Sequence, residues 1–139
     1  MYHKILIALD ATEADETIIR HVSALARSFD SALVILHVAD GWAARWFGAD
    51  AVSREIIEDK AYLEAMQARL VRDGLRVEAE LAYGEPADEI VKWVETRGCD
   101  LVAMSTHGHR FISDLLYGST AENVRHRVDV PVLLLKARK

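Results

Sequence analysis

Two glycine turns with neighbouring hydroxyl groups are the part of this sequence whose residue types could do chemistry. They lie in segment 101–124, which opens as an apolar run. Each turn combines glycine with serine or threonine: Ser105-Thr106-His107-Gly108 and then Gly118-Ser119-Thr120. Such turns leave backbone N–H groups free to bind an anion, and a helix that starts at Ser119 adds the positive end of its dipole. We interpret the segment as a candidate cradle for the phosphates of a nucleotide.

Asp10 and His107 are further polar residues that could contact a nucleotide. Asp10 ends an apolar run, and its carboxylate either suits ribose hydroxyls or a hydrated metal ion, or caps the next helix. His107 is either a neighbour of the phosphates or an ordinary loop histidine. The other histidines are scattered without the spacing of metal ligands, so we predict no metal site.

The sequence lacks the motifs of common nucleotide-hydrolysing and nucleophilic enzymes. Neither Gly108 nor Gly118 belongs to the Gly-Lys-Ser/Thr motif of a P-loop. Ser119 is not surrounded by a Gly-x-Ser-x-Gly elbow. Asp10 with His107 is the one candidate pair for acid–base chemistry. We therefore predict a binding protein and not an enzyme.

The elements that must position these residues alternate between strands and helices. Apolar runs without alternation, at 5–9, 33–38 and 101–104, indicate strands buried on both faces. Helical spacing of apolar residues between strands predicts the order β-α-β-α-β-α-β-α-β and a parallel, doubly wound sheet. In such a sheet, ligands lie beyond the carboxyl ends of the strands. Asp10, Val38 and Met104-Ser105 lie at such ends.

Capping residues and glycines predict the ends of the helices. Thr12 caps the first helix, with Asp15 three residues later in a loose capping box. The second helix runs from a Ser53 cap to about Asp73. The third starts at residues 84–86, a Gly-Glu-Pro turn, and ends at Gly98. The fourth covers residues 119–127, and a last strand covers residues 130–136.

The two strands expected at the sheet edges differ in charge. The strand at 77–81 alternates and carries Glu78 and Glu80, which protect an edge from pairing. The strand at 130–136 has no charge until Lys136, and an apolar edge needs cover. Strand pairing across a two-fold axis supplies that cover, so we predict a homodimer through residues 130–136.

Composition excludes several functional classes. The chain of 139 residues, 51% hydrophobic and with a net charge of −5, is predicted to form one domain, 1–139, and to bind neither nucleic acid nor anionic membranes. Its apolar runs are shorter than the ~20 residues of a membrane span, and its N-terminus lacks the layout of a signal peptide. Because Cys99 is the single cysteine, we expect it to pack in the interior of a reduced, cytoplasmic protein.

Four short segments and one spaced motif match a known family. The segments are Lys4 to Asp10, Leu36-His37-Val38, Gly84-Glu85-Pro86 and Val130-Pro131-Val132-Leu133-Leu134. The motif is Gly, two residues, Gly, nine residues, Gly and then Ser or Thr, and here it reads Ser105, Gly108, Gly118 and Ser119. In these residues the chain resembles the universal stress protein family and its ATP-binding signature. It departs from the signature at Ser105, whose Cβ narrows the approach to the backbone.

The resemblance implies a fold, a ligand and an assembly. The fold is a flavodoxin-like (Rossmann-like) open sheet of five parallel strands in the order 3-2-1-4-5, with helices on both faces. The ligand is an adenine nucleotide, ATP or else AMP or ADP, with Mg²⁺ as an optional companion, and the assembly is often a homodimer. The residues that the resemblance places around the nucleotide are Ala8, Leu9 and Asp10 near adenine and ribose, Val38 in the adenine pocket, Met104, Ser105, His107 and Gly108 along ribose and phosphates, and Gly118, Ser119 and Thr120 at the phosphates.

We therefore expect an ATP-binding stress-response or regulatory protein that signals through nucleotide-dependent conformation or a protein partner. Two alternatives stay open: a slow nucleotide hydrolase or nucleotidyl transferase on the same fold, and a nucleotide-free interaction module. The aromatic residues Trp42, Trp46 and Phe47 lie in an irregular connection, where they either pack under the loop or form a lid or partner surface.

Overall fold

The computed structural model describes residues 1–39, 49–106 and 112–137, without the side chains of 49–53 and 112–118. Within these ranges the chain alternates strands and helices as predicted. In order they are β1 (Lys4–Leu9), α1 (Asp15–Phe29), β2 (Ala32–Ala39), α2 (Ala49–Arg72), β3 (Arg76–Tyr83), α3 (Pro86–Arg97), β4 (Leu101–Thr106), α4 (Ile112–Arg127) and β5 (Val132–Lys136). The predicted aromatic loop around Trp42, Trp46 and Phe47 lies outside the described residues.

The five strands form one parallel sheet in the order β3-β2-β1-β4-β5. The central strand β1 pairs with β2 on one side and with β4 on the other. This result confirms the predicted fold class and strand order. The crossover from β1 to β2 and the crossover from β4 to β5 therefore lead in opposite directions from the centre of the sheet, which is the arrangement that favours a ligand at the carboxyl ends.

An apolar cluster lies on each face of the sheet, because alternate side chains of the central strands point to opposite faces. Ile5 and Ile7 of β1 pack in the cluster under α1 and α2, whereas Leu6 and Ala8 pack in the cluster under α3 and α4. Cys99 belongs to the second cluster, which confirms its packing role, and burial raises the pKa of its thiol to about 11. Over the ranges described above, no helix combines the length and apolarity that a membrane crossing needs.

The β3 edge is protected by charged side chains, as its sequence predicts. Arg97 of α3 reaches across to this edge and contacts Glu78 at 3.0 Å and Glu80 at 2.9 Å. The guanidinium of Arg97 also lies 4.7 Å from the ring centre of Trp93. A carboxylate-lined edge of this kind disfavours the addition of another strand.

The predicted ends of α3 are confirmed. The Glu85 side chain accepts a hydrogen bond of 2.8 Å from the backbone N–H of Asp88, and Pro86 occupies the first turn. Gly98 ends the helix in the left-handed conformation with φ +65°, which glycine adopts without a steric penalty.

Three predicted starts are wrong, each for a local reason. The helix α1 begins at Asp15, and Ala14 rather than Thr12 precedes it without a side-chain cap. The helix α2 begins at Ala49 and not at Ser53, because the intervening residues include alanines with high helix propensity. The strand β5 begins at Val132 and not at Val130, since Pro131 has no N–H to donate to the ladder.

The predicted start of α4 at Ser119 is also wrong, because the helix begins at Ile112 and continues through Gly118. A glycine inside a helix costs only about 1 kcal/mol relative to alanine. Burial of Ala121 and Val124 in the second apolar cluster offsets that cost. Gly118, Ser119 and Thr120 therefore form part of the helix and not a turn before it.

Candidate functional site

The carboxyl ends of β2, β1 and β4 meet at one edge of the sheet. In the strand register, Ala8 lies between Leu36 and Met104. After β1 the chain enters α1 on one face, and after β4 it continues into α4 on the other face. Because the two helices lie on opposite faces, this edge is the place where the topology favours a ligand.

Six of the predicted site residues lie together at this edge. Ala8 and Leu9 end β1, and Asp10 follows them half-buried. Val38 lies near the end of β2, where it packs against the second apolar cluster. Met104 and Ser105, both buried, lie near the end of β4.

The other five predicted site residues come after β4 in the chain and stay predictions. His107 and Gly108 lie outside the described residues. Gly118, Ser119 and Thr120 lie in α4, with Ser119 about 10 Å along the helix from Ile112. In a helix that begins at Ile112, the backbone N–H groups without helical partners belong to its first turn. The predicted dipole end is therefore at Ile112 and not at Ser119.

Ser105 carries an unusual polar group at this site. Its side chain is only 3% exposed, and its hydroxyl oxygen finds no hydrogen-bond partner in the part of the chain that the structure describes. A buried hydroxyl without a partner costs free energy, on the order of 1–3 kcal/mol. Ser105 therefore offers a donor and an acceptor next to Met104, at the position where the ATP-binding signature has glycine.

Asp15 is a buried carboxylate that the sequence interpretation assigned only to helix capping. Its side chain is 0% exposed. One carboxylate oxygen accepts a hydrogen bond of 2.8 Å from the N–H of Asp10, and the other accepts one of 2.9 Å from the N–H of Ala11. Asp15 thus closes the β1–α1 turn, which we define as residues 10–14, from inside.

Ala11 takes a left-handed conformation within the β1–α1 turn. Its φ is +63°, a region that costs a residue with a Cβ about 1–2 kcal/mol. The bond from its N–H to Asp15 holds this conformation. The turn directly after Asp10 is therefore set by a specific side-chain contact and not by backbone preference alone.

Tyr62 of α2 completes the hydrogen bonds of Asp15. Its hydroxyl donates to Asp15 at 2.6 Å and lies 3.4 Å from the carbonyl oxygen of Thr12. Burial raises the pKa of the Asp15 carboxyl despite its hydrogen bonds from Asp10, Tyr62 and Ala11. Burial and the neighbouring Asp15 carboxylate also raise the pKa of Tyr62.

His37 and Asp59 form a second polar connection between α2 and the end of β1. The His37 Nδ1 atom lies 2.8 Å from the carbonyl oxygen of Leu9, so Nδ1 carries a proton and donates it. The Nε2 atom faces the Asp59 carboxylate at 3.4 Å without the geometry of a hydrogen bond, and both side chains are mostly buried. Burial raises the pKa of Asp59, although His37 acts in the opposite direction.

The sequence contains a weak signal for these missed residues. Asp59 lies in register with the apolar stripe of α2, three residues after Ile56 and four before Leu63. A carboxylate on a core-facing stripe indicates a buried polar contact. His37, to which we assigned no role, interrupts an apolar strand in the same way.

Comparison with known proteins agrees with this fold. The model of the universal stress protein family matches residues 1–136. The chain belongs to the universal stress protein family.

Solved structures of other universal stress proteins share the fold. The archaeal protein MJ0577 of Methanocaldococcus jannaschii is 31% identical, with a TM-score of 0.82 over 100% of this chain and 99% of that chain. A universal stress protein in complex with cAMP is 20% identical, with a TM-score of 0.71 over 99% and 98%. The Archaeoglobus fulgidus universal stress protein in complex with dAMP is 22% identical, with a TM-score of 0.72 over 97% and 98%.

Proposed function

We propose that this universal stress protein binds an adenine nucleotide at the carboxyl edge of β1 and β4 and acts as a nucleotide-dependent regulator. One observation carries the proposal: β1 and β4 are neighbours, and the helices that follow them cover opposite faces of the sheet. That arrangement favours a ligand in the crevice between the two connections. The family members solved with cAMP and dAMP support an adenine nucleotide as the class of ligand.

The residues at this edge fit such a ligand. Val38, which is half-buried, would give the base an apolar contact, and Ala8 and Met104 are buried in the same apolar cluster. The carboxylate of Asp10 is suited to accept hydrogen bonds from ribose hydroxyls. The buried hydroxyl of Ser105, which has no partner among the described side chains, would gain one from the ribose or a phosphate.

The phosphates would contact the segment that connects β4 to α4. The first turn of α4 at Ile112 carries the positive end of the helix dipole, which favours an anion. His107 and Gly108 of the signature precede it and stay predicted contacts, as do Ser119 and Thr120 farther along α4. ATP is the preferred candidate because the signature spacing is that of the ATP-binding branch, and Mg²⁺ would accompany its phosphates.

Calorimetric titration of the purified protein with ATP and AMP tests the proposal. We expect saturable one-site binding that Asp10→Ala weakens about tenfold, the effect of losing a hydrogen bond to a charged group. Asp129→Ala is the matched control, because Asp129 is exposed and follows α4 at the opposite edge of the sheet. A protein that is purified without a bound nucleotide and ignores both ligands would instead support the interaction-module alternative.

Ser105→Gly tests the departure from the signature. If the serine Cβ obstructs the nucleotide, glycine raises ATP affinity; if the hydroxyl binds the ligand, glycine lowers it. Because the buried Ser105 hydroxyl has no partner among the described residues, we expect affinity to fall about threefold, measured by the same titration. Ser105→Ala separates the two causes, since alanine keeps the Cβ and removes only the hydroxyl.

The enzymatic alternative is separated by a turnover assay. We propose that hydrolysis is not the main role, so ATP mixed with the protein should persist over many equivalents. Multiple-turnover hydrolysis that Asp10→Ala abolishes would overturn this part of the proposal and favour a nucleotide hydrolase.

We also propose that the protein is a cytoplasmic homodimer that pairs through β5 and residues 130–136 and presents its nucleotide state to a protein partner. The β5 edge supports this pairing, because Leu134 is 43% exposed and only Lys136 carries a charge in the strand. Light scattering at micromolar concentration should give a dimer mass, and Leu134→Glu should give a monomer. A wild-type monomer under these conditions would contradict the dimer.

A further inference from the structure

The backbone around Asp10 is held at consecutive groups by side chains that lead to α2. The Leu9 carbonyl accepts a hydrogen bond from His37, and the N–H groups of Asp10 and Ala11 donate to Asp15. No group in this set belongs to the residues that line the proposed nucleotide site, apart from Leu9 and Asp10 themselves. The set therefore acts on the position of the site and not on the ligand.

The two α2 residues that contact His37 and Asp15 are three residues apart in the sequence. Asp59 lies 3.4 Å from His37, and Tyr62 donates to Asp15 at 2.6 Å. Residues three apart lie on the same face of a helix, so one face of α2 holds both sides of the strand end. The two contacts fix the direction in which the chain leaves β1.

We infer that Tyr62 and Asp59 are positioning residues for the proposed nucleotide site, acting on Asp10 through Asp15 and through His37. The inference rests on the proposed function and deepens it, because it assigns to α2 the geometry of the ribose-binding carboxylate. The left-handed conformation of Ala11 depends on the same contacts. Asp15 accepts a hydrogen bond from Ala11 in a conformation that alanine disfavours, and Tyr62 donates a hydrogen bond to Asp15.

Another contact between α2 and α1 provides a matched control. Arg69 binds the Glu16 carboxylate through two hydrogen bonds of 2.7 Å and 2.9 Å. Arg69 lies seven residues beyond Tyr62, about 10 Å farther along α2, and its hydrogen bonds go to Glu16 and not to Asp15 or to the backbone of residues 9–11. Removing it weakens the packing of α2 on α1 without touching the chain around Asp10.

Calorimetric titration with ATP on four variants of the full chain tests the inference. Tyr62→Phe and Asp59→Ala should each lower ATP affinity about fivefold, whereas Arg69→Gln should leave it unchanged. Asp59→Asn should restore most of the affinity that Asp59→Ala loses, because its amide can donate to His37 Nε2. A purely structural role for α2 predicts instead that all variants change the urea midpoint and none changes affinity.

Hydrogen exchange at the amides of Asp10 and Ala11 keeps the inference testable if wild type does not bind ATP. Both amides should exchange at least fivefold faster in Tyr62→Phe than in Arg69→Gln. If wild type binds ATP and Tyr62→Phe, Asp59→Ala and Arg69→Gln bind it with the same affinity as wild type, the positioning roles are overturned and the proposed function stands. Absent wild-type binding overturns the proposed function, and equal exchange in the two variants then overturns the positioning roles as well.

Discussion

Asp100 at the amino edge of the sheet and Asp15 at the carboxyl edge both accept hydrogen bonds from backbone N–H groups, but their pKa values move in opposite directions. Asp100 accepts from His3 and Lys4 at 2.9–3.1 Å. Burial alone would raise the pKa of Asp100, but these bonds outweigh it and the pKa is lowered. At Asp15 burial prevails over a comparable set of bonds and raises the pKa.

The difference between the edges follows from access to water. Asp100 is half-buried and keeps part of its hydration, so its hydrogen bonds are a net gain for the ionised form. Asp15 is fully buried, so its charge is held at a cost that the bonds reduce but do not remove. The amino edge is therefore stabilised by its carboxylate, whereas the carboxyl edge keeps a costly carboxylate that fixes the turn after Asp10. Such a cost is expected where position matters more than stability.

Asp15→Ala should produce the largest effect on stability among these variants. The change leaves the N–H groups of Asp10 and Ala11 and the Tyr62 hydroxyl without their acceptor. We expect a loss of about 3 kcal/mol in the free energy of unfolding, measured in urea, together with weaker ATP binding. If the variant is destabilised but binds ATP as wild type does, Asp15 only stabilises the fold, as Asp100 does at the amino edge.

Asp100→Ala should lower the free energy of unfolding by about 2 kcal/mol and leave ATP affinity unchanged. The lost bonds join the start of β4 to the start of β1, at the edge opposite the proposed site. Urea unfolding and calorimetric titration of the same preparation measure the two quantities. A fall in affinity would show that the two edges are coupled through the sheet and that Asp100 does more than stabilise the amino edge.

The pH dependence of stability should differ between the edges, with a smaller effect than either truncation. The pKa of Asp100 is lowered in the folded protein. Its contribution to the free energy of unfolding is therefore present above the usual aspartate pKa of about 4 and is lost as pH falls through the folded-state pKa. Burial raises the pKa of Asp59, although His37 lowers it, and the neighbouring Glu58 carboxylate adds to the rise. Its contribution is present below about pH 4 and is lost as pH rises through its folded value.

Asparagine variants separate these two slopes. Asp100→Asn should flatten the loss of unfolding free energy on the acid side, and Asp59→Asn should flatten the loss that accompanies rising pH. Urea midpoints measured in steps between about pH 3 and pH 7 check both slopes. If the urea midpoints of wild type and Asp59→Asn change with pH in parallel, burial does not raise the pKa of the Asp59 carboxyl.

Ala11→Gly should have the smallest effect and the opposite sign. Glycine relieves the left-handed strain at φ +63°, and its greater freedom in the unfolded chain offsets part of the gain. We expect the free energy of unfolding to rise by about 0.5 kcal/mol. Ala24→Gly is the control, because Ala24 is exposed inside α1 and should lose stability instead. A loss in both variants would contradict the strain at Ala11.

The sequence predicted the layers of the fold because apolar periodicity is a local property. Unbroken runs at β1, β2 and β4 indicated central strands, and the alternation with Glu78 and Glu80 indicated an edge. The same local reasoning placed the start of α4 at Ser119, since Gly118 resembles a break. It was wrong because burial of the residues that follow Gly118 decides whether the helix continues.

The contacts around Asp10 could be decided only by the tertiary structure. Asp15 and Tyr62 are 47 residues apart, and His37 is 28 residues from Leu9. The sequence determined that Asp10 ends a buried strand and that Asp15 follows it near a helix start. Whether Asp15 faces solvent as a helix cap or is sealed beneath α2 depends on how α2 packs across the sheet. Burial then decides the sign of its pKa shift, because only packing against distant residues removes water from the carboxylate.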